Sequence, residues 1–188
     1  MGIVEINSES WKEFDYSKYK EINPPENTST EVYDELKHLL HLPEDKVFVK
    51  KHDDIEKVFE QVCEENNIEY PKELVVGLIK STKYIILDLK LHHNRPRPYQ
   101  LASEYNINLG EEATKCIENR SYPSGHSCLG FLIGNVLQRK LENNTDVFLK
   151  AGKRISYSRN LCRRHYISDS IIGEEIGNSM YEYIKDKI

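Results

Sequence analysis

The sequence has no long apolar run, no paired cysteines and no excess of basic charge, and each lack excludes something. A membrane helix needs roughly 18 consecutive apolar residues. The greasiest pieces here, Tyr84-Ile85-Ile86-Leu87 and Cys128 to Leu137, are interrupted or bounded by charged or amide residues. The start, Met1-Gly2-Ile3-Val4-Glu5-Ile6, carries neither the basic region nor the apolar core of a secretory leader. Ile6 also breaks the myristoylation pattern that Gly2 would open. The expectation is a protein with no membrane span and a cytoplasmic location. Cys63, Cys116, Cys128 and Cys162 form no C-x-x-C pair, which argues against a zinc knuckle or a thioredoxin motif and for free buried thiols. With 26 Lys and Arg against 31 Asp and Glu, the net charge is -5, a poor balance for gripping a nucleic-acid polymer. A small basic pocket remains compatible with it.

Also missing are internal repeats, low-complexity tracts and any convincing two-residue alternation, so strands are not expected. What is present is helical periodicity. The 188 residues fit one domain with a core of its own. Residues 1–29 are polar, end in Asn23-Pro24-Pro25-Glu26-Asn27, and read as an irregular arm laid on the surface of a helical domain, 30–188. Thr30 is the expected cap of a helix through Leu42, with Val32, Leu36, Leu39 and Leu40 on one stripe. Asp53 or Asp54 opens the next, carrying Ile55, Val58, Phe59 and Val62. Pro71 starts a long apolar helix to about His92, stopped by Pro96 and Pro98. A short helix is expected near Glu111 to Cys116, and longer ones from Ser124 to Leu141, Asp146 to Arg159 and Ser168 to Lys185. The fold class is all-α, a compact helical bundle.

Three clusters carry chemistry. Pro123-Ser124-Gly125-His126 immediately precedes an apolar helix. Free N–H groups at a helix start, a hydroxyl and a glycine that admits close approach make an anion site. By itself, this reads first as an ordinary helix cap with a surface histidine. His165 and Asp169 are four apart and share a helical face, where a carboxylate can fix the imidazole tautomer and leave the other nitrogen as a nucleophile. Arg159 offers a planar fork to a phosphate. By itself, this too reads first as a structural pair among surface arginines. Lys90 and Arg97 alone are merely basic.

Together the clusters say more. Lys90 is followed after six residues by Arg97-Pro98. After a gap of 24 residues comes Pro123-Ser124-Gly125-His126, and after a gap of 31 Ser158-Arg159, then five residues, His165, three residues and Asp169. This resembles the tripartite signature of the type 2 phosphatidic acid phosphatase superfamily, which includes bacterial class A acid phosphatases and vanadium-dependent haloperoxidases. All eleven fixed positions are matched, across residues 90 to 169, and Ser121-Tyr122 before the proline also looks like class A.

The resemblance implies an all-α bundle of the acid phosphatase and haloperoxidase type, and a metal-independent phosphatase that acts on small phosphate monoesters through a phosphohistidine. Nucleotides, sugar phosphates and pyrophosphate-type anhydrides all fall within its scope. It implies that His165 is the nucleophile, Asp169 its orienting partner and His126 the acid and then base. Lys90, Arg97 and Arg159 bind the phosphate oxygens, with Ser124 and the Gly125 N–H completing the cradle. No metal and no cofactor are expected, and the partner is a small phosphorylated substrate, not a nucleic-acid polymer. A homo-oligomer is left open. The alternatives are a vanadate-dependent oxidoreductase and a non-catalytic phosphate-binding module.

Other residues read as bland. His92 and His93 lack the acidic company of a metal site, although one of them lining the pocket entrance fits the motif. Arg95, Arg163 and Arg164 read as solvated or structural, and His38, His41 and His52 as surface residues. Tyr99 and Tyr122 adjoin motif residues and are candidates to stack on an aromatic substrate. Cys162 reads as buried behind the site. Sequons begin at Asn27, Asn119 and Asn143.

Overall fold

The computed structural model describes residues 6–115, 120–141 and 146–188; Met1 to Glu5, Cys116 and the sequon starts Asn119 and Asn143 lie outside them. Among the described residues all regular structure is helical. The helices are α1 (Thr30–His41), α2 (Lys46–Lys51), α3 (Ile55–Glu65), α4 (Lys72–His93), α5 (Pro98–Ala102), α6 (Gly125–Lys140), α7 (Val147–Leu161) and α8 (Ile167–Ile184). The expected long helices are all present. Their ends shift by a residue or so where the real cap differs: Ser29, not Thr30, accepts from the Val32 N–H to start α1, and Asp54 caps α3. The short helix expected near Glu111 is a 3-10 turn, Glu111–Thr114, and α2 and α5 were not legible as separate elements.

At the centre α6 packs against both α7 and α8. Glycines let the backbones approach. A Cβ on Gly130 would lie 3.0 Å from the Gly152 carbonyl oxygen of α7, and one on Gly173 of α8 would lie 2.6 Å from that of Ser124. Larger residues there would separate the helices. One core cluster joins α3, α4, α6, α7 and α8 through residues such as Phe59, Leu78, Leu132, Ile155 and Met180. A second joins α1 to α5 and the start of α8 through Leu36, Leu39, Leu101 and Tyr166.

The arm is inserted rather than laid on the surface. Trp11 and Tyr19 are buried in the main core, and Trp11 donates its indole N–H to Ser81 Oγ at 2.8 Å. Its aromatic anchors, Trp11, Phe14 and Tyr19, bury more apolar area than its polar composition suggests. His92 and His93 are not at the pocket. Their Nε2 atoms meet the carbonyls of Lys20 and Tyr19 at 3.0 and 2.9 Å and tie the arm to the end of α4. Among the described residues no helix is long and apolar enough to cross a membrane.

Candidate active site

A helix with its N-terminus pointing into a cleft brings unpaired amides to one place. Here that helix is α6. The Ser124 side chain caps it, accepting from the Ser127 N–H at 3.3 Å and the Ser127 hydroxyl at 2.9 Å. The first intrahelical bond runs from Cys128 N–H to Ser124 O, so the amides of Gly125 and His126 precede it. α8 is tied to this cap: the Ser124 N–H donates to the Asp169 carbonyl at 2.9 Å.

The first turn of α8 carries the carboxylate. Asp169 is fully buried, and its Oδ2 accepts from His165 Nδ1 at 3.0 Å, from the Ser121 hydroxyl at 2.5 Å and from the Tyr166 N–H at 3.0 Å. Its Oδ1 accepts from Arg95 at 2.7 Å. Burial pushes this carboxyl up, but the His165 hydrogen bond, the Arg95 charge and Ser121 outweigh it and hold it well below the usual range. Four acceptor contacts and a buried cation thus keep Asp169 ionised.

His165 is therefore the Nδ1–H tautomer, with its Nε2 lone pair outward. Burial first, then the Arg97 and Lys90 charges, press its pKa well below 6.5 against the pull of Asp169. The ring is neutral. Arg97 donates from Nη1 to that Nε2 at 2.8 Å and to the Arg164 carbonyl at the same distance.

The cleft in front of His165 has a volume of about 680 Å³. Its charged lining is Lys83, Lys90, Arg97, Arg159, Arg164 and Asp53, with His126 and Gly125. Ile55, Ile79, Ile86, Leu87 and Leu129 supply its apolar lining. Lys90 is 4% exposed, and its Nζ donates to the carbonyls of Arg120 and Ser121 at 2.7 and 3.3 Å. Burial and the neighbouring Arg97 push its pKa down to about 7. Arg159 divides its fork: Nε donates to Ser158 Oγ at 3.1 Å and Nη1 to Asp53 at 2.6 Å, while its buried Nη2 has no hydrogen-bond partner. A buried donor left open beside a cleft suits an incoming anion. His126 donates from Nε2 to the Asp53 carbonyl oxygen at 3.0 Å, and burial and the Arg159 charge push its pKa down to about 4.

Seven of the eight residues singled out from the sequence converge on this cleft or directly behind it. The eighth, Ser124, is fully buried as the α6 cap and is not part of the cleft lining.

A sequence profile for the PAP2 superfamily matches residues 73–181, well over half of the chain. The chain belongs to the PAP2 superfamily. A non-specific acid phosphatase of Providencia stuartii is 34% identical over 80 residues, covering 43% of this chain and 32% of that protein. One from Salmonella typhimurium strain LT2 is 30% identical over 94 residues, covering 50% and 37%. The chain matches about a third of the length of these curated relatives. A crystal structure described as the first bacterial vanadium-dependent iodoperoxidase superposes with a TM-score of 0.70 at 16% identity, over 89% of this chain and 52% of that one, a likeness of fold.

Within this PAP2 superfamily chain, Arg95 and Arg163 take the structural of the two roles read for them. Arg95 is buried behind Asp169, paired with Glu35 at 3.0 Å and stacked 3.8 Å from the Tyr166 ring centre. Arg163 is buried too. Its guanidinium caps the end of α1 through the carbonyls of Leu39 and Leu42, at 3.0 and 3.2 Å. His52 is buried, not on the surface, stacked on Phe48 with its Nδ1 2.8 Å from the Phe48 carbonyl. Tyr122 is buried and donates to the Ile22 carbonyl at 2.9 Å, which removes it as a stacking platform. Cys162 is buried as expected. The sequence reading missed three charged cleft residues, Asp53, Lys83 and Arg164. Asp53 showed only as a helix-cap candidate, and no motif position marks any of them.

Proposed function

We propose that the chain is a phosphatase acting on small phosphate monoesters through a phosphohistidine at His165. The observation that carries this is the buried Asp169–His165 pair, Nδ1 3.0 Å from Oδ2, with the other ring nitrogen on Arg97 in a cleft also lined by Lys90, Arg159 and Arg164. A substrate phosphate draws the N–H groups of Arg97 from Nε2 to its own oxygens and uncovers the lone pair. Nε2 then attacks in line, forming the P–N bond as the ester P–O bond breaks. His126, in its protonated form, gives a proton to the leaving oxygen. In the second half, His126 takes a proton from water, the water oxygen bonds to phosphorus, and the P–N bond breaks to release orthophosphate. Lys90, Arg97, Arg159 and the Gly125 amide carry the charge of the equatorial oxygens. Ser124 acts from beneath, holding those amides in place. The apolar wall favours esters with an alkyl or aryl leaving group.

The test is phosphate release from p-nitrophenyl phosphate across pH with excess EDTA, in the wild type and His165→Ala. EDTA-resistant turnover that vanishes in the variant supports the reading. Turnover retained by His165→Ala sinks it. Iodide oxidation with added orthovanadate and hydrogen peroxide separates the oxidoreductase alternative, and tight phosphate binding without turnover separates the binding module.

A further inference from the structure

One residue outside the three sequence blocks touches two of the site residues at once. Asp53 lies in the junction between α2 and α3. Its backbone carbonyl accepts from His126, and its Oδ1 accepts from Arg159 Nη1 at 2.6 Å and lies 3.9 Å from Arg164 Nη1. Its neighbours hold it there: His52 is buried against α2, and Asp54 caps α3. The Asp53 side chain is 53% exposed, so this is a fixed carboxylate at the mouth of the cleft. Burial pushes its carboxyl up, but the Arg159 charge and hydrogen bond bring it below the usual value, so it is an anion at neutral pH.

Beyond it lies a second cleft of about 490 Å³ that shares Asp53 and Arg164 with the first. Asp53 therefore stands between the phosphate cradle and this second cleft, on the path of any leaving group that reaches past the first. Charged residues of both signs line that second cleft, Glu44, Asp45, Glu111 and Glu112 together with Lys46, Lys50, Lys115 and Arg163, so Asp53 is the charge that acts on the cradle side. A leaving group with a further phosphate would bring like charge against this fixed carboxylate, in a place where water screens it only in part.

We infer that Asp53 is a specificity determinant, a fixed negative charge that makes the site select single phosphate groups over diphosphates. The inference rests on the phosphatase reading and narrows it, setting pyrophosphate-type substrates aside. Arg159 is the element through which it acts. Asp53 occupies Nη1 and leaves Nη2 to serve one phosphate, and its charge offsets part of the cationic field that a second phosphate would need.

The test is calorimetric binding of orthophosphate and of methylenebisphosphonate, a non-hydrolysable diphosphate, to the full chain and to Asp53→Asn and Asp53→Ala. Asparagine keeps an acceptor for Arg159 and removes the charge; alanine removes both. In both variants the bisphosphonate is expected to gain at least about fivefold more affinity than orthophosphate, a size set by one charge at partly screened contact range. An unchanged affinity ratio in Asp53→Asn overturns the inference. So does weaker orthophosphate binding in Asp53→Ala with Asp53→Asn unchanged, which would make Asp53 only a support for Arg159. Thermal melting of each variant checks that it is folded. Anion binding needs no turnover, so failure to hydrolyse p-nitrophenyl phosphate would remove the phosphatase reading and leave this result standing on its own.

Discussion

Arg95 and Asp169 form a buried ion pair at 2.7 Å, behind the imidazole that the carboxylate orients. Arg95 is balanced in turn by Glu35, which also accepts from the Ser168 N–H at 2.6 Å and the Ser168 hydroxyl at 2.9 Å. The carboxylate thus divides its charge between Arg95 and the His165 ring. Burial, then the Arg97 and Lys90 charges, press the His165 pKa down, and the Arg95 pairing limits how far Asp169 can pull it back up.

Removing that share has a definite sign. In Arg95→Met the full Asp169 charge falls on His165 and raises its pKa, against the opposing Arg97 and Lys90 charges. His165 must be neutral to attack, so the acid limb of the kcat/KM profile moves to higher pH. Arg95→Lys should move it less. Breaking a buried pair also costs stability, about 3–5 kcal/mol in comparable cases, read from urea unfolding. An unshifted acid limb in a folded variant would show that Arg95 acts on the fold alone.

The wild-type pH profile follows from two depressed histidines. With His126 as the proposed acid, its pKa pushed down to about 4 and that of His165 lying well below 6.5 set the two limbs. The kcat/KM profile should be bell-shaped with its optimum on the acid side of neutrality. A rate rising steadily to pH 10 would contradict the assignment. Lys90 adds a separate signature: with its pKa near 7, it loses its charge as pH rises through neutrality. Inhibition by sulfate, whose own charge is constant there, should weaken over the same interval.

His126→Ala separates the two half-reactions. The p-nitrophenolate leaving group needs little proton donation, so phosphorylation of His165 should persist. Hydrolysis of the intermediate lacks its base and should fall by roughly 10²–10⁴-fold. The expected trace in a stopped-flow record is a burst of one p-nitrophenolate per chain followed by a slow phase. A variant that lost the burst and the steady state together would argue that His126 acts before the intermediate forms.

The long helices and the motif residues were legible in the sequence because their signals are local. Caps, a proline at a helix start and a three-to-four spacing belong to neighbouring residues, and His165 to Asp169 is one helical turn. The aromatic anchors of the arm were not legible as such. Trp11 and Tyr19 meet Ser81 and Ser179, 70 and 160 positions away, and only the folded chain brings them together. Asp53 was hidden for the same reason, since its partner Arg159 is 106 residues distant. For Arg95 the sequence left solvated and structural roles open, because its partners Glu35 and Asp169 are 60 and 74 residues away.

Two glycines separate the site from the fold. A Cβ at Gly173 would press on the Ser124 carbonyl at 2.6 Å and on Ser127 Cβ at 2.9 Å, forcing the start of α8 off the α6 cap. Asp169 lies one turn earlier on α8, and its carbonyl accepts from the Ser124 N–H, so the displacement reaches the carboxylate that orients His165. A Cβ at Gly134 would press in the same way on the Phe148 carbonyl, at 2.8 Å, but ten residues along the chain from the cap Ser124, about 15 Å at 1.5 Å per residue. Both Gly173→Ala and Gly134→Ala should cost roughly 1–3 kcal/mol in urea unfolding, the usual range for an overpacked interior. Only Gly173→Ala should lower kcat at temperatures where both variants are fully folded. Equal kcat in the two would mean that the contact between the α6 cap and α8 does not position the nucleophile.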